Sequence, residues 1–150
     1  IDITQQNLRD KLTEHQVVID YVIYRKGDFK SHLYAEEQLI ALVLSPTGGV
    51  SLVKLGALKP VAELIQIIKN DKESNTLDKA QQQKLFQTRQ ALHQKLWQPL
   101  EKLIQGKSRV YVIPAGILGC LSFKDLQESY GQLIGGEINI FQLDSIYDIL

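Results

Sequence analysis

The chain is 150 residues long, with 17 basic and 17 acidic side chains that cancel to a formal charge of zero, 44% hydrophobic residues and 23% charged ones. That composition fits one globular domain able to bury roughly two-thirds of its unfolded surface, and it lacks the basic excess of a nucleic-acid binder. No run reaches the roughly 18 apolar residues of a membrane span, no signal peptide opens the chain, and the single cysteine, Cys120, excludes an internal disulfide and points to a reducing, cytoplasmic compartment.

Thr4 suits a helix N-cap, and Ile3 and Leu8 have the spacing of a hydrophobic staple, so a short helix is expected from Gln5 to about Thr13. QVVIDYVIY, Gln16 to Tyr24, is dense in β-branched and aromatic residues and reads as a strand in which Asp20 is the one charge, a solvent-facing acid or a partner for a base. Arg25 to Glu37 is polar, with Gly27 and Asp28, and reads as a turn or hairpin loop. Gln38 to Leu44 and Val50 to Leu55 are two more strands, joined by the turn residues Ser45 to Gly49. Links this short force antiparallel pairing, because a parallel return needs a crossover of about a dozen residues, so the first third is a meander.

The period then changes. Pro60 suits a first helical turn, and Val61, Leu64, Ile65 and Ile68 recur at three and four residues up to an end near Asn70. Asp71 to Lys79 is polar and patternless and reads as a flexible link. Leu85, Leu92, Leu96, Leu100 and Leu103 then trace the stripe of a long helix, widened by Phe86, Trp97 and Ile104, with Pro99 kinking or restarting it and Gly106 capping it. Trp97 reads as a core anchor, and Tyr21, Tyr24, Tyr34 and Tyr111 as packing residues. Arg109 to Ile113 is a short apolar run between Gly106 and Pro114, the pattern of a strand buried on both faces, and the loop behind it is where α/β proteins place chemistry. Glu137 to Leu143 closes the series as a further strand. The fold expected is α/β, a mixed sheet that is antiparallel at first and parallel later, flanked by helices. After Lys124 every charged residue is acidic (Asp125, Glu128, Glu137, Asp144, Asp148), which reads as a solvated face or a surface for a basic partner. The chain has no methionine and stops at Leu150 inside an apolar pattern, so it reads as an excerpt of a longer protein.

No complete chemical motif is present. Gly48-Gly49 lacks the Lys-Ser/Thr of a phosphate loop, Gly116 and Gly119 lack a third fingerprint glycine, and no nucleophile elbow occurs. His15, His32 and His93 are scattered and have no metal-like spacing, so they read as surface or packing residues. Cys120 follows a strand and a Gly-rich loop, where a thiolate could meet a substrate. Its neighbours Leu118, Leu121 and Phe123 are apolar and no motif supplies a base, so it reads as an inert buried hydrophobe. The sequence nominates no catalytic, cofactor-binding or metal-ligating residue.

Several of these segments together resemble the CHAT domain family, the caspase-like cysteine peptidases associated with tetratricopeptide repeats. LWQPLEKLI (Leu96 to Ile104) is similar to the family's Leu-x-x-Pro-Leu helix, VIPAG (Val112 to Gly116) to its Val-Pro-Asp-Gly turn, and LSFKDL (Leu121 to Leu126) to its Leu-Pro-Phe-x-x-Leu segment. LTEHQVVIDYVIY, the SPTGG turn with VSLVKLG, and YGQLIGGEINIFQLDS resemble the start and close of its first half. Ala115 stands where the family has Asp, and Ser122 where it has Pro. The family's His-Gly motif and nucleophilic Cys lie further downstream than the matched segments. Here Gln16, Leu33 and Gln94 follow the three histidines, and Cys120 is not at the nucleophile position. The resemblance therefore implies that residues 1–150 are the N-terminal, non-catalytic half of a caspase-like domain from a bacterial cytoplasmic protease, and that the dyad of this hydrolase lies elsewhere. Its partners would be the C-terminal catalytic half, contacted through an apolar flank of Ile138, Ile140, Phe141, Ile146 and Ile149, with tetratricopeptide repeats and a protein substrate beyond it. The alternative reading is a self-contained α/β module for protein interaction or ligand binding, without catalysis.

Overall fold

Strand β1 (Gln16–Arg25) holds the chain together, since it is the strand on which antiparallel and parallel pairing meet. The computed structural model describes residues 15–25, 36–46, 49–72, 78–126 and 138–144. On one side β1 pairs antiparallel with β2 (Glu37–Ser45), which pairs antiparallel with β3 (Gly49–Ala57). On the other side it pairs parallel with β4 (Arg109–Ile113), and β4 with β5 (Asn139–Gln142). The result is a five-stranded mixed sheet in the order β3-β2-β1-β4-β5, flanked by helices, so the expected α/β class and its change from antiparallel to parallel both hold.

Helix α1 (Leu58–Lys72) begins two residues before Pro60. Pro60 still lies in the first turn, where a missing N–H costs nothing. The helix also passes its expected end at Asn70, whose side chain accepts a 2.9 Å hydrogen bond from Gln66 one turn back. Of the segment expected to be a polar link, Asp71 and Lys72 belong to α1, and Asp78 is the N-cap of helix α2 (Lys79–Leu96). Asp78 accepts from the Gln81 N–H at 2.8 Å and Gln81 answers the Asp78 N–H at 3.1 Å, a reciprocal capping box. Pro99 stops α2 at Leu96, and the chain restarts as a 3₁₀ turn (Gln98–Leu100) and a short α3 (Glu101–Ile104). Gly106 does adopt a left-handed φ of +80°, but as the third residue of a type II turn closed by a Lys107 N–H to Ile104 carbonyl bond of 3.1 Å.

Alternation along the strands divides the sheet. Val17, Ile19, Tyr21, Leu39, Ala41, Val43, Val110, Val112 and Ile140 point to an inner face, where Val61, Ile65 and Ile68 of α1 and Leu85, Leu92 and Leu96 of α2 complete one core. Trp97 is buried in that core as expected. The described helices cover this face alone. β4 was expected to be buried on both faces; Val110 and Val112 are buried on the inner face and Ile113 on the other, but on that other face Arg109 is exposed and Tyr111 half-buried. There the Arg109 guanidinium lies 5.2 Å over the Phe141 ring and Tyr111 packs against the same ring. β5 is also shorter than the expected Glu137 to Leu143. The helix expected at Gln5 to Thr13, most of the Arg25 to Glu37 loop, Tyr34 and His32 lie outside the described residues, as do Glu128, Glu137 and Asp148. Among the described residues no helix is long and apolar enough to cross a membrane.

Candidate functional site

Ligand crevices in α/β sheets open at the carboxyl ends of parallel strands. Here that end belongs to β1, β4 and β5, and the loop behind β4 fills it. After Pro114 and Ala115 the chain makes two 3₁₀ turns, Gly116–Cys120 and Phe123–Asp125. Leu118, Phe123 and Leu126 are fully buried and Leu121 nearly so, and the Phe123 ring stacks 5.3 Å from Tyr21 of β1. Gly116 has a left-handed φ of +52°, and a Cβ there would come within 3.1 Å of Ile23 Cδ1, so the loop rests directly on β1. Gln142 of β5 ties it down from the other side, donating to the Leu121 carbonyl at 2.8 Å and accepting from the Phe123 N–H at 3.4 Å. A segment expected to present chemistry is a plug that seals the core.

Cys120 sits on the rim of this plug. The expectation of a buried thiol is corrected: the leucines and Phe123 around it turn inward and leave Cys120 exposed. None of the described histidines serves it as a base. The His15 carbonyl accepts from the Ser108 and Arg109 N–H groups at 3.0 and 3.3 Å, which fixes His15 at the amino end of β4, whereas Cys120 lies beyond its carboxyl end. A five-residue strand separates those ends by roughly 13–17 Å. His93 is buried on α2 as a packing residue; its Nε2 has no hydrogen-bond partner, and the nearest carboxylate oxygen, Glu101 Oε1, stands 3.8 Å away. Among the described residues no group of three or more His, Cys, Asp or Glu is placed to hold a metal.

Two other groups bear on chemistry. Asp20 lies on the outer face with Leu42 and Ile113 beside it across the ladders and Val18 and Val22 along its own strand. It is half-buried there, and desolvation raises its carboxyl above the ordinary value of 3.8. Tyr21 is fully buried, and that burial raises its phenol, so it stays a hydrogen-bond donor; it donates to the Leu96 carbonyl at 2.7 Å. A wide-mouthed cavity of about 660 Å³ opens at the amino ends of β4 and β5, between Trp97, Glu101 and Ile104 on one wall and Lys107, Ser108 and Ile138 on the other. It lies at the opposite end of the parallel strands from Cys120.

The apolar flank expected to dock on a second half is mostly internal. Ile140 is buried in this chain's own core and Ile138 packs against it; Phe141 alone faces outward, and Ile146 and Ile149 lie outside the described residues. Sequence reading also passed over two working contacts. The Asp78-x-x-Gln81 spacing was visible as a capping box, whereas nothing in the sequence marked Gln142 as the tie for the plug. The chain matches no protein-family model, and no curated protein sequence is significantly similar to it.

Proposed function

We propose that this chain is the non-catalytic scaffold half of a CHAT-type caspase-like cysteine endopeptidase, cytoplasmic and bacterial, that buttresses a downstream half carrying the His/Cys dyad. The observation that supports this reading is the position of β5. Among the described residues it closes the parallel side of the sheet and pairs on one side only, and it is four residues long. Parallel strands are stable when both neighbours and both faces are covered, so the unpaired edge of β5 is where the strands of a following half would add. The plugged carboxyl end fits a scaffold role, because among the described residues no histidine stands beside Cys120 as a base. Association would run through the β5 edge and Phe141, since Ile140 is committed to this chain's core.

The test is direct. The coding sequence after Leu150 is expected to hold a His-Gly pair and, some tens of residues on, a strand ending in Cys. The longer protein is expected to cleave a protein substrate, to lose that activity when this second cysteine is changed, and to keep it in Cys120→Ser. An active chain 1–150, or a continuation without that pair, defeats the proposal. The second reading, a non-catalytic interaction module, draws on the exposure of Leu52 on the outer sheet face, at 56% the most open large apolar side chain of the described residues.

A further inference from the structure

The outer face of the sheet is closed over β1 and β2, although no described helix lies there. Register lines up Phe141, Tyr111, Val18, Leu44 and Val50 in one row across all five strands. Exposure in that row falls from 41% at Phe141 and 38% at Val50 to 7% at Leu44 and 1% at Val18. Along β1 the same face opens again, through half-buried Asp20 and Val22 to exposed Tyr24. A strand side chain stands roughly perpendicular to its sheet, so its ladder neighbours shield its flanks and leave its tip to whatever lies above. The tip of Val18 is therefore covered by another part of this chain, and the cover sits over the amino end of β1.

We propose that residues 1–14 fold back over this face and seat Leu8 and Leu12 on Val18 and Leu44. The chain enters β1 through His15, whose carbonyl is held by the Ser108 and Arg109 N–H groups at 3.0 and 3.3 Å, and Val18 is only three residues further on. The helix that the sequence predicts from Gln5 to about Thr13 would be about 13 Å long, enough to lie across the roughly 10 Å from β4 through β1 to β2. Leu8 and Leu12 fall on one side of it, one turn apart, and Gln6 falls on the opposite side. The other stretches outside the described residues are tied elsewhere. Residues 127–137 run between Leu126 and Ile138, both packed on the inner core, and residues 73–77 join the two inner-face helices. Residues 26–35 leave and return at the far end of β1, beyond the exposed Tyr24, and residues 47–48 close the β2–β3 turn. Residues 145–150 leave from the carboxyl end of β5, where Phe141 is open. The inference does not depend on the peptidase reading.

The experiment is urea unfolding of the full chain. Leu8→Asp and Leu12→Asp are each expected to raise the unfolding equilibrium constant at least about tenfold, because a charge replaces a seated leucine. Gln6→Asp, on the opposite side, is expected to change it less than about twofold. Double-mutant cycles locate the seat. Leu12→Ala combined with Val18→Ala or with Leu44→Ala is expected to depart from additivity by at least about threefold, whereas Leu12→Ala combined with Leu52→Ala is expected to be additive. The double variant Leu8→Asp/Leu12→Asp is expected to keep its circular dichroism and to bind a hydrophobic dye that the wild type leaves free. Where an aspartate variant does not fold, the alanine cycles alone decide. Aspartates that leave stability unchanged overturn the proposal. So do additive cycles at both Val18 and Leu44, or a folded double variant that binds no more dye than the wild type.

Discussion

Removing the Tyr21 hydroxyl tests how the Pro99 break is tolerated. In an unbroken helix the Leu96 carbonyl would accept from the Leu100 N–H. Here that N–H turns to the Trp97 carbonyl at 2.8 Å, and Tyr21 of the central strand takes its place on Leu96 at 2.7 Å. Tyr21 is 1% exposed and Leu96 wholly buried, so water cannot substitute for the phenol. Tyr21→Phe therefore loses a buried hydrogen bond and leaves a buried carbonyl without a partner, at a cost of about 1.5 kcal/mol, or a fall of about 3–6 °C in melting temperature for a chain of this size. Urea unfolding at constant m-value gives the number. The same substitution in a Pro99→Ala background is expected to cost about 0.5–1 kcal/mol less, because a continuous helix would return the Leu100 N–H to Leu96. A Tyr21→Phe loss within about 0.3 kcal/mol of zero, or equal losses in both backgrounds, would refute the reasoning.

Asp20 sets a pH dependence whose sign follows from desolvation. Its folded pKa is raised above the ordinary 3.8, so the folded state holds the proton more tightly, and the penalty is absent below that value and complete once pH passes the raised folded one. Asp20→Asn should match the wild type at acid pH and exceed it increasingly as pH rises through that window; a constant difference across the titration contradicts it. Gly116→Ala places a methyl 3.1 Å from Ile23 Cδ1 at a φ of +52° and should cost about 1–2 kcal/mol, visible as a lower melting temperature, whereas an unchanged one would mean that the plug does not press on β1. Asp78→Ala removes the side-chain acceptor of the Gln81 N–H at the start of α2 and should cost about 1 kcal/mol with faster amide exchange in its first turn; unaltered exchange there would show the box to be idle.

Much of this architecture could be read from local chemistry. The meander followed from link lengths, α1 and α2 from their periods, and the interruption after Leu96 from one proline. The dependence of burial on distant partners was not legible. Val110 to Ile113 is as apolar as a doubly covered strand, and only the placement of α1 and α2 on one face decides that Tyr111 stays half open. Cys120 failed for a related reason: apolar neighbours in sequence predict a buried thiol, yet in a 3₁₀ turn those neighbours point inward and the thiol outward. Asp78 and Gln81 were legible and passed over, because a run of polar residues hides a cap within it. Gln142 could not have been found, since its partners lie 19 and 21 residues away in a plug that has no periodic signature.

The ladder between β1 and β4 is five residue pairs long, from Gln16 with Arg109 to Asp20 with Ile113, and among the described residues it is the only direct strand contact between the early and late halves of the sheet. The hairpins of the meander join near neighbours and can form within microseconds, whereas this ladder must wait for some ninety intervening residues to settle. Until then the chain carries a strand of ten residues with one flank bare. During synthesis or refolding that bare flank is the place where a second nascent chain would insert, so crowded refolding should yield strand-exchanged aggregates, and slow dilution should suppress them.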